Sequence, residues 1–445
     1  MTPTARNRLL CLNISDLPRW PWWIARFDPY RCGESWMLIA DARFGRSRWW
    51  SCVVLAAPVL GTDQPGCRPA AVAYGRPAGR GHNQEEGEAA VSVATTSASP
   101  VSSGLSGRQR GSEFAELSRL INAAGLLERR RGYYAWRIAA NVGLFVLGAT
   151  VFVVVGDSWW QLLTGVYFAV VFAQFAFVGH DAGHRQIFAS RRRNDLVGYA
   201  HSAVTGISYQ WWVGKHNRHH ANPNHEDEDP DIDIPALAFT TEQANAKRGL
   251  TRWVARYQAW LFFPLLCFEA LMLRVSSVQA VLRREVKHVR LEAILLGGQT
   301  VCYLTAVLLV LPPLKAVLFL AVQQALMGVY LGCSFAPNHK GMPVLAKGEQ
   351  LDYLRKQVLT SRNVRGGRWV DFLLGGLNYQ VEHHLFPSMP RPNLRHAQRL
   401  VQRFCVRHDL PYSQCGLLSS YAQVLRHLHT VGADLRNEHR RPAAH

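Results

Sequence analysis

The sequence predicts an all-α integral membrane protein, with four transmembrane helices paired as two hairpins, interfacial helices beside them and a histidine-rich cap on the cytoplasmic side. Three observations predict it. Apolar runs at 137–156, 159–178, 291–311 and 314–335 are each long enough, at 1.5 Å per helical residue, to cross a bilayer. Lys and Arg crowd the outer ends of the first pair, at 129–137 and 185–193, which places both ends in the cytoplasm. Histidines cluster three times, as HDAGH, HNRHH and QVEHH, at or beyond the ends of these runs.

Composition narrows the function. The 445 residues leave room for more than one domain, and a net charge of +19 favours acidic partners. Nothing resembles a nucleic-acid module and much of the chain is too apolar to be one, so the membrane surface is the expected partner and nucleic acid is not. The mean hydropathy, −0.06, averages polar ends over an apolar middle. Nine cysteines without a CxxC pair favour a reducing compartment and argue against a dithiol relay or a Cys-held iron–sulfur cluster.

In chain order, residues 1–112 read as a low-complexity or disordered N-terminal extension, rich in Arg, Trp, Gly, Pro, Ser and Ala, with a linker-like run at 85–112. The apolar patch at 52–60 is too short to span, residues 1–18 lack the apolar core of a signal peptide, and no HPGG haem-binding signature occurs. The principal domain is expected at 113–432, with a disordered tail at 433–445. It opens with FAELSRLINAAGLL, which has helical spacing, and the basic ERRRGYYAWR, an interfacial anchor.

The first hairpin turns at Gly156, Asp157 and Ser158, and the second at Pro312 and Pro313. Between them lies a further apolar stretch, 257–273, followed by the basic run 274–290. Counting 257–273 as a span would put QVEHH on the opposite face from the other clusters. Interrupted by Pro264 and carrying Glu269, it is expected to lie along the interface instead. Past QVEHH, FPSMPRPN is a Pro-punctuated loop, and 394–404 and 417–428 read as basic amphipathic helices suited to a membrane surface.

His216, His219 and His220 stand at i, i+3 and i+4, on one helical face, and His180 and His184 share another. His383 and His384 close the third cluster. One histidine pair alone is ordinarily packing or surface decoration. Three clusters on one side of a membrane converge most simply on metal, because neutral imidazole suits iron, copper and zinc.

These motifs resemble the HxxxH, HxxHH and QxxHH boxes of the membrane fatty acid desaturase family, over about residues 115–403. Gln380 at the head of the third box, with ANPNHEDEDPD and NYQVEHHLFPSMPR, is similar to the front-end, linoleoyl-CoA desaturase-like branch. The resemblance implies an O₂-dependent desaturase that introduces a double bond into an acyl-CoA or acyl-lipid chain. It would use two iron ions, and electrons from an external ferredoxin or flavin reductase. It also implies His180, His184, His216, His219, His220, His383 and His384 as catalytic metal ligands, with His339 of FAPNHKGM as an eighth.

Around them, Gln380 and Asn338 are candidate weak ligands, and Asp181, Asp227 and Glu382 candidates to orient imidazole N–H groups. His201 reads as packing or support for the ligands, and His225 and His288 as surface residues. Tyr209, Trp211, Trp212, Tyr330 and Tyr379 are candidates to line an acyl tunnel, although the Trp pair also suits a membrane-interface belt. Basic faces at 191–193, 283–290 and Lys340 fit a CoA phosphate, a lipid head group or an acidic ferredoxin. Two alternatives stand beside this reading. One is a hydroxylase or ketolase on the same iron. The other is a histidine-rich metal-binding or transport protein, which requires ligands inside the spans, where ionisable groups are few.

Overall fold

The computed structural model describes residues 26–32, 35–44, 48–56 and 107–438. Its first unit holds β1 (Arg26–Cys32), β2 (Ser35–Phe44) and β3 (Arg48–Ala56), an antiparallel sheet in the order β1-β2-β3. These strands fall within the segment expected to be a disordered extension. Composition hides the aromatic and branched residues Ile39, Trp49, Trp50, Val53 and Val54, which favour a pleated surface. The remainder of that extension and of the C-terminal tail lies outside the described residues.

The second unit is helical. It opens with α1 (Gly107–Ala123), seven residues earlier than the apolar spacing beginning at Phe114 suggests. Among the described residues, four helices are each long and apolar enough to span a membrane: α2 (Arg131–Val155), α3 (Gln161–Gly183), α9 (Val289–Val310) and α10 (Pro313–His339). Burial sorts them. The apolar window of α3 is 61% buried against 17% for α2 and for α9, so α3 forms the centre while Val146, Leu147, Val153 and Val154 of α2 face outward. At the α2–α3 turn, buried Gln161 donates to the carbonyls of Phe152 (2.6 Å) and Gly156 (2.9 Å). It thereby satisfies helix-end groups that lipid cannot.

Beyond α3 come α4 (Arg191–Thr205), α5 (Tyr209–Ala221) and α6 (Thr241–Ala246). The stretch expected as one interfacial element is two helices, α7 (Gly249–Leu266) and α8 (Glu269–Leu282), bent by 82° at the break. Pro264 withholds one helical hydrogen bond just before that break. Helix α8 also takes in part of the basic run that follows. A Cβ on Gly328 of α10 would lie 2.4 Å from the Leu266 carbonyl oxygen, so α10 packs on the break with its backbone.

The cap comprises α11 (Tyr353–Leu359), β4 (Arg362–Arg365), α12 (Arg368–Leu373), α13 (Gln380–Leu385), α14 (Arg391–Arg407), β5 (Ser413–Gly416), α15 (Leu417–Val431) and α16 (Ala433–Asn437). Strands β4 and β5 pair in parallel, Arg362 opposite Ser413. The amphipathic helices at 394–404 and 417–428 do not spend their apolar faces on a membrane. Leu394, Ala397, Val401 and Phe404 bury against α1 and α11, and Val424 and Leu428 against α7 and α10. Helix α16 extends order into the expected tail, because Leu435 is buried with Ala244 and Ala255.

Candidate metal centre

Four elements deliver eight imidazoles to one place. His180 sits in the last turn of α3 and His184 caps it, α5 carries His216, His219 and His220, α10 ends at His339, and α13 supplies His383 and His384. Ligand atoms of His180, His184, His216 and His383 lie within 4.8 Å of one another, and so do those of His219, His339 and His384. His220 lies between the groups, its ring centre 4.5 Å from that of His184 and 4.1 Å from that of His384. Between the clusters of different helices, His219 Nε2 is 3.3 Å from His339 Nε2.

The donor set fits bound metal. Nε2 of His180, His184, His383 and His384 is buried with no hydrogen-bond partner. Leaving several buried nitrogens unsatisfied is costly unless a cation takes their lone pairs. Burial first, then the neighbouring imidazoles, push His184, His216, His220, His383 and His384 well below the ordinary histidine pKa. That keeps them neutral, the form that ligates.

A surrounding layer fixes ring orientation. His219 Nδ1 lies 3.0 Å from both carboxylate oxygens of buried Asp229, which also accept from the backbone N–H of Asn224 (2.7 Å) and Asp231 (2.8 Å). His180 Nδ1 is 3.2 Å from Asp181, itself 2.6 Å from Arg391. His339 Nδ1 donates to the Thr360 carbonyl (3.0 Å) and His384 Nδ1 to Gln357 Oε1 (2.8 Å). Gln357 in turn donates to the His220 carbonyl (2.9 Å). Each such contact turns Nε2 toward the centre. Gln380 Nε2 reaches His339 Nε2 (2.7 Å), and Asn338 donates to Ser334 O (3.1 Å) and Gln380 Oε1 (3.4 Å).

Several sequence expectations are corrected. Asp227 is exposed, left-handed at φ 67° and paired with Lys347 (2.8 Å), so it orients no imidazole. Asp229 does so instead, because the turn after α5 brings it rather than Asp227 inward. Glu382 touches no imidazole either; it accepts from Tyr412 (2.8 Å) and Asn363 (2.7 Å), since neighbours on a helix point apart. Burial raises its pKa to about 7, against the lowering effect of those two hydrogen bonds. His225 is buried, with ring contacts to the carbonyls of Glu226 (2.7 Å) and Glu349 (3.0 Å). His201 is a packing residue, bonded to Val197 O (2.7 Å) and set against Phe175. His288 is exposed. Sequence reasoning singled out none of Asp229, Gln357, Thr360 and Arg391; Asp229 lies in the acidic run and Arg391 closes NYQVEHHLFPSMPR, while Gln357 and Thr360 carry no signal.

Two cavities adjoin the histidines. One of about 60 Å³ is bounded by Gly198, Ile207, Tyr209, Trp212 and His180. A second of about 180 Å³ is bounded by Lys215, His216, Asp231, Phe239, Lys340 and Gln380. Trp212, Leu273 and Phe335 line both, and Trp212 stacks on His216 with ring centres 4.5 Å apart. Of the expected tunnel aromatics, only Tyr209 and Trp212 line these spaces. Trp211 and Tyr330 pack in the core, and Tyr379 faces a different cleft. On the wall of the second cavity Lys215 pairs with Asp231. Burial alone would raise the Asp231 pKa, but Lys215, His219 and Lys340 hold it below the carboxylate range.

Residues 157–416 match the family model described as fatty acid desaturase. The chain is similar to the acyl-lipid (9-3)-desaturase of Physcomitrium patens, 30% identical over 349 residues, covering 74% of this chain and 64% of that protein. It is 29% identical over 352 residues to the Delta(8)-fatty-acid desaturase of Helianthus annuus, covering 74% of each chain. It is 26% identical over 340 residues to a Delta(6)-fatty-acid desaturase of Caenorhabditis elegans, covering 73% of this chain and 75% of the other.

Proposed function

This chain belongs to the fatty acid desaturase family of membrane oxidoreductases, and from that premise we propose that it converts a CH₂–CH₂ pair of a fatty acyl chain, carried on CoA or a membrane lipid, to a double bond. The balance is one O₂, two electrons from an external donor and two protons consumed, with two hydrogens leaving the chain and water as the other product. The observation that carries the reading is eight converging imidazoles, four with buried unpartnered Nε2, beside an apolar cavity.

His180, His184, His216, His219, His220, His339, His383 and His384 would hold two iron ions. Bound there, iron supplies the O₂ activation that breaking an unactivated C–H bond requires. The protein's own work is placement. Trp212, Leu273 and Phe335 hold the acyl chain against the histidines and exclude water. Lys215, Asp231, Glu269 and Lys340 make one wall of the second cavity polar, where a polar acyl end would remain. The basic runs flanking the spans favour a cytoplasmic site. The exposed Arg399 and Arg403 on α14 suit an acidic ferredoxin or a flavin reductase.

Expression in a host with a compatible donor, followed by fatty acid methyl ester analysis with double-bond localisation, tests it. A new unsaturated acid is expected. An oxygenated product in its place would establish a hydroxylase or ketolase instead.

A further inference from the structure

We propose that a second site, a cleft of about 450 Å³ between α2, α12 and α14, binds the phosphate of a membrane phospholipid head group. Arg137, Arg368, Arg391 and Arg395 line it with a single carboxylate, Asp371. That carboxylate is already engaged, accepting from Asn378 (2.8 Å) and lying 3.8 Å from Arg395. Among the described residues, neither Arg137 nor Arg368 has a carboxylate partner. The Arg137 guanidinium donates to Gln174 and rests 5.3 Å over the Phe372 ring, with its Nε buried and unpartnered. Arg391, 7% exposed, is already paired from inside the protein, with Asp181 at 2.6 Å and the Phe177 carbonyl at 2.7 Å. With Arg391 and Arg395 each facing a carboxylate, Arg137 and Arg368 leave positive charge at the cleft that asks for an anion. Forked guanidiniums match phosphate oxygens in geometry as well as charge.

Position identifies the source of the phosphate. Arg137 stands near the start of spanning helix α2, and just beyond it Val142, Val146 and Leu147 face outward. Trp136 lines the cleft at 70% exposure, and Trp369, next to Arg368, is 80% exposed. An exposed indole at the end of an apolar run, as Trp136 is, marks the depth of lipid head groups. The cleft is separate from the acyl cavity. Gly376 and Tyr379 line the cleft, while Leu377 and Gln380 line the cavity, so one loop walls both. Gly376, at φ 80°, is needed there, because a Cβ would meet Arg391 Cγ at 2.5 Å.

The test titrates the metal-loaded full chain in non-ionic detergent with short-chain phosphatidic acid, coenzyme A and inorganic phosphate in separate calorimetric runs. Phosphatidic acid is expected to bind most tightly, and R137Q and R368Q each to weaken it about tenfold, equivalent to about 1.4 kcal/mol. Arg368 is exposed, so R368Q keeps the test decisive should R137Q fail to fold. Unchanged phosphatidic acid affinity in R368Q, or coenzyme A or inorganic phosphate binding as tightly as the lipid and equally weakened by R368Q, overturns the proposal. The readout requires no turnover, so its outcome is independent of whether the chain desaturates.

Discussion

Asp229 holds His219: both oxygens of a carboxylate with almost no solvent exposure lie 3.0 Å from the imidazole Nδ1, ten residues away in sequence. Two residues earlier, Asp227 pairs with Lys347 at the surface.

The two acids should therefore separate on substitution. D229N is expected to lower iron retention and product formation by about 10- to 100-fold, the usual effect of losing a ligand-orienting partner. D227N should leave both unchanged. Iron per protein and product yield, measured on both variants, check this; equal losses would refute the distinction.

Gln357 joins two histidine clusters, accepting from His384 Nδ1 and donating to the His220 carbonyl. Q357L keeps the volume but removes both bonds. We expect weaker iron binding by about tenfold or more, with Q357E retaining part of it through its carboxylate acceptor. Metal competition with a chelator measures the order wild type, Q357E, Q357L.

At Gly328 a Cβ would meet the Leu266 carbonyl oxygen at 2.4 Å, whereas at Gly297 it would meet nothing. G328A should destabilise by about 1–3 kcal/mol through overpacking. G297A should be neutral or slightly stabilising, because alanine is the better helix former. Thermal unfolding in detergent compares the two.

His427 donates to the Phe239 carbonyl (3.0 Å), and burial first, then Lys340, lower its pKa despite that bond. A histidine whose folded pKa is depressed binds fewer protons folded than unfolded. Its effect is absent above about pH 6.5, the unfolded value, and destabilises progressively as pH falls below it. H427Q should accordingly lose less melting temperature than wild type between neutral pH and about pH 5. Parallel curves would show that His427 is not responsible.

The sequence by itself determined the periodic features. Four apolar runs long enough to span, i/i+3/i+4 histidine spacing and the three boxes depend only on neighbours along the chain, so they were legible without coordinates. His339 was also legible, as a histidine just past a span. What only the tertiary structure decided were contacts between distant segments. Spacing cannot say that His339 meets His219 across 120 residues, that Asp229 rather than Asp227 turns inward, or that Glu382 faces Tyr412. Nor can amphipathicity say that α14 buries its apolar face in the cap, since membrane and protein core reward the same pattern. Local periodicity fixes which side of a helix is apolar or ligand-bearing; what that side meets is set by how the helices pack.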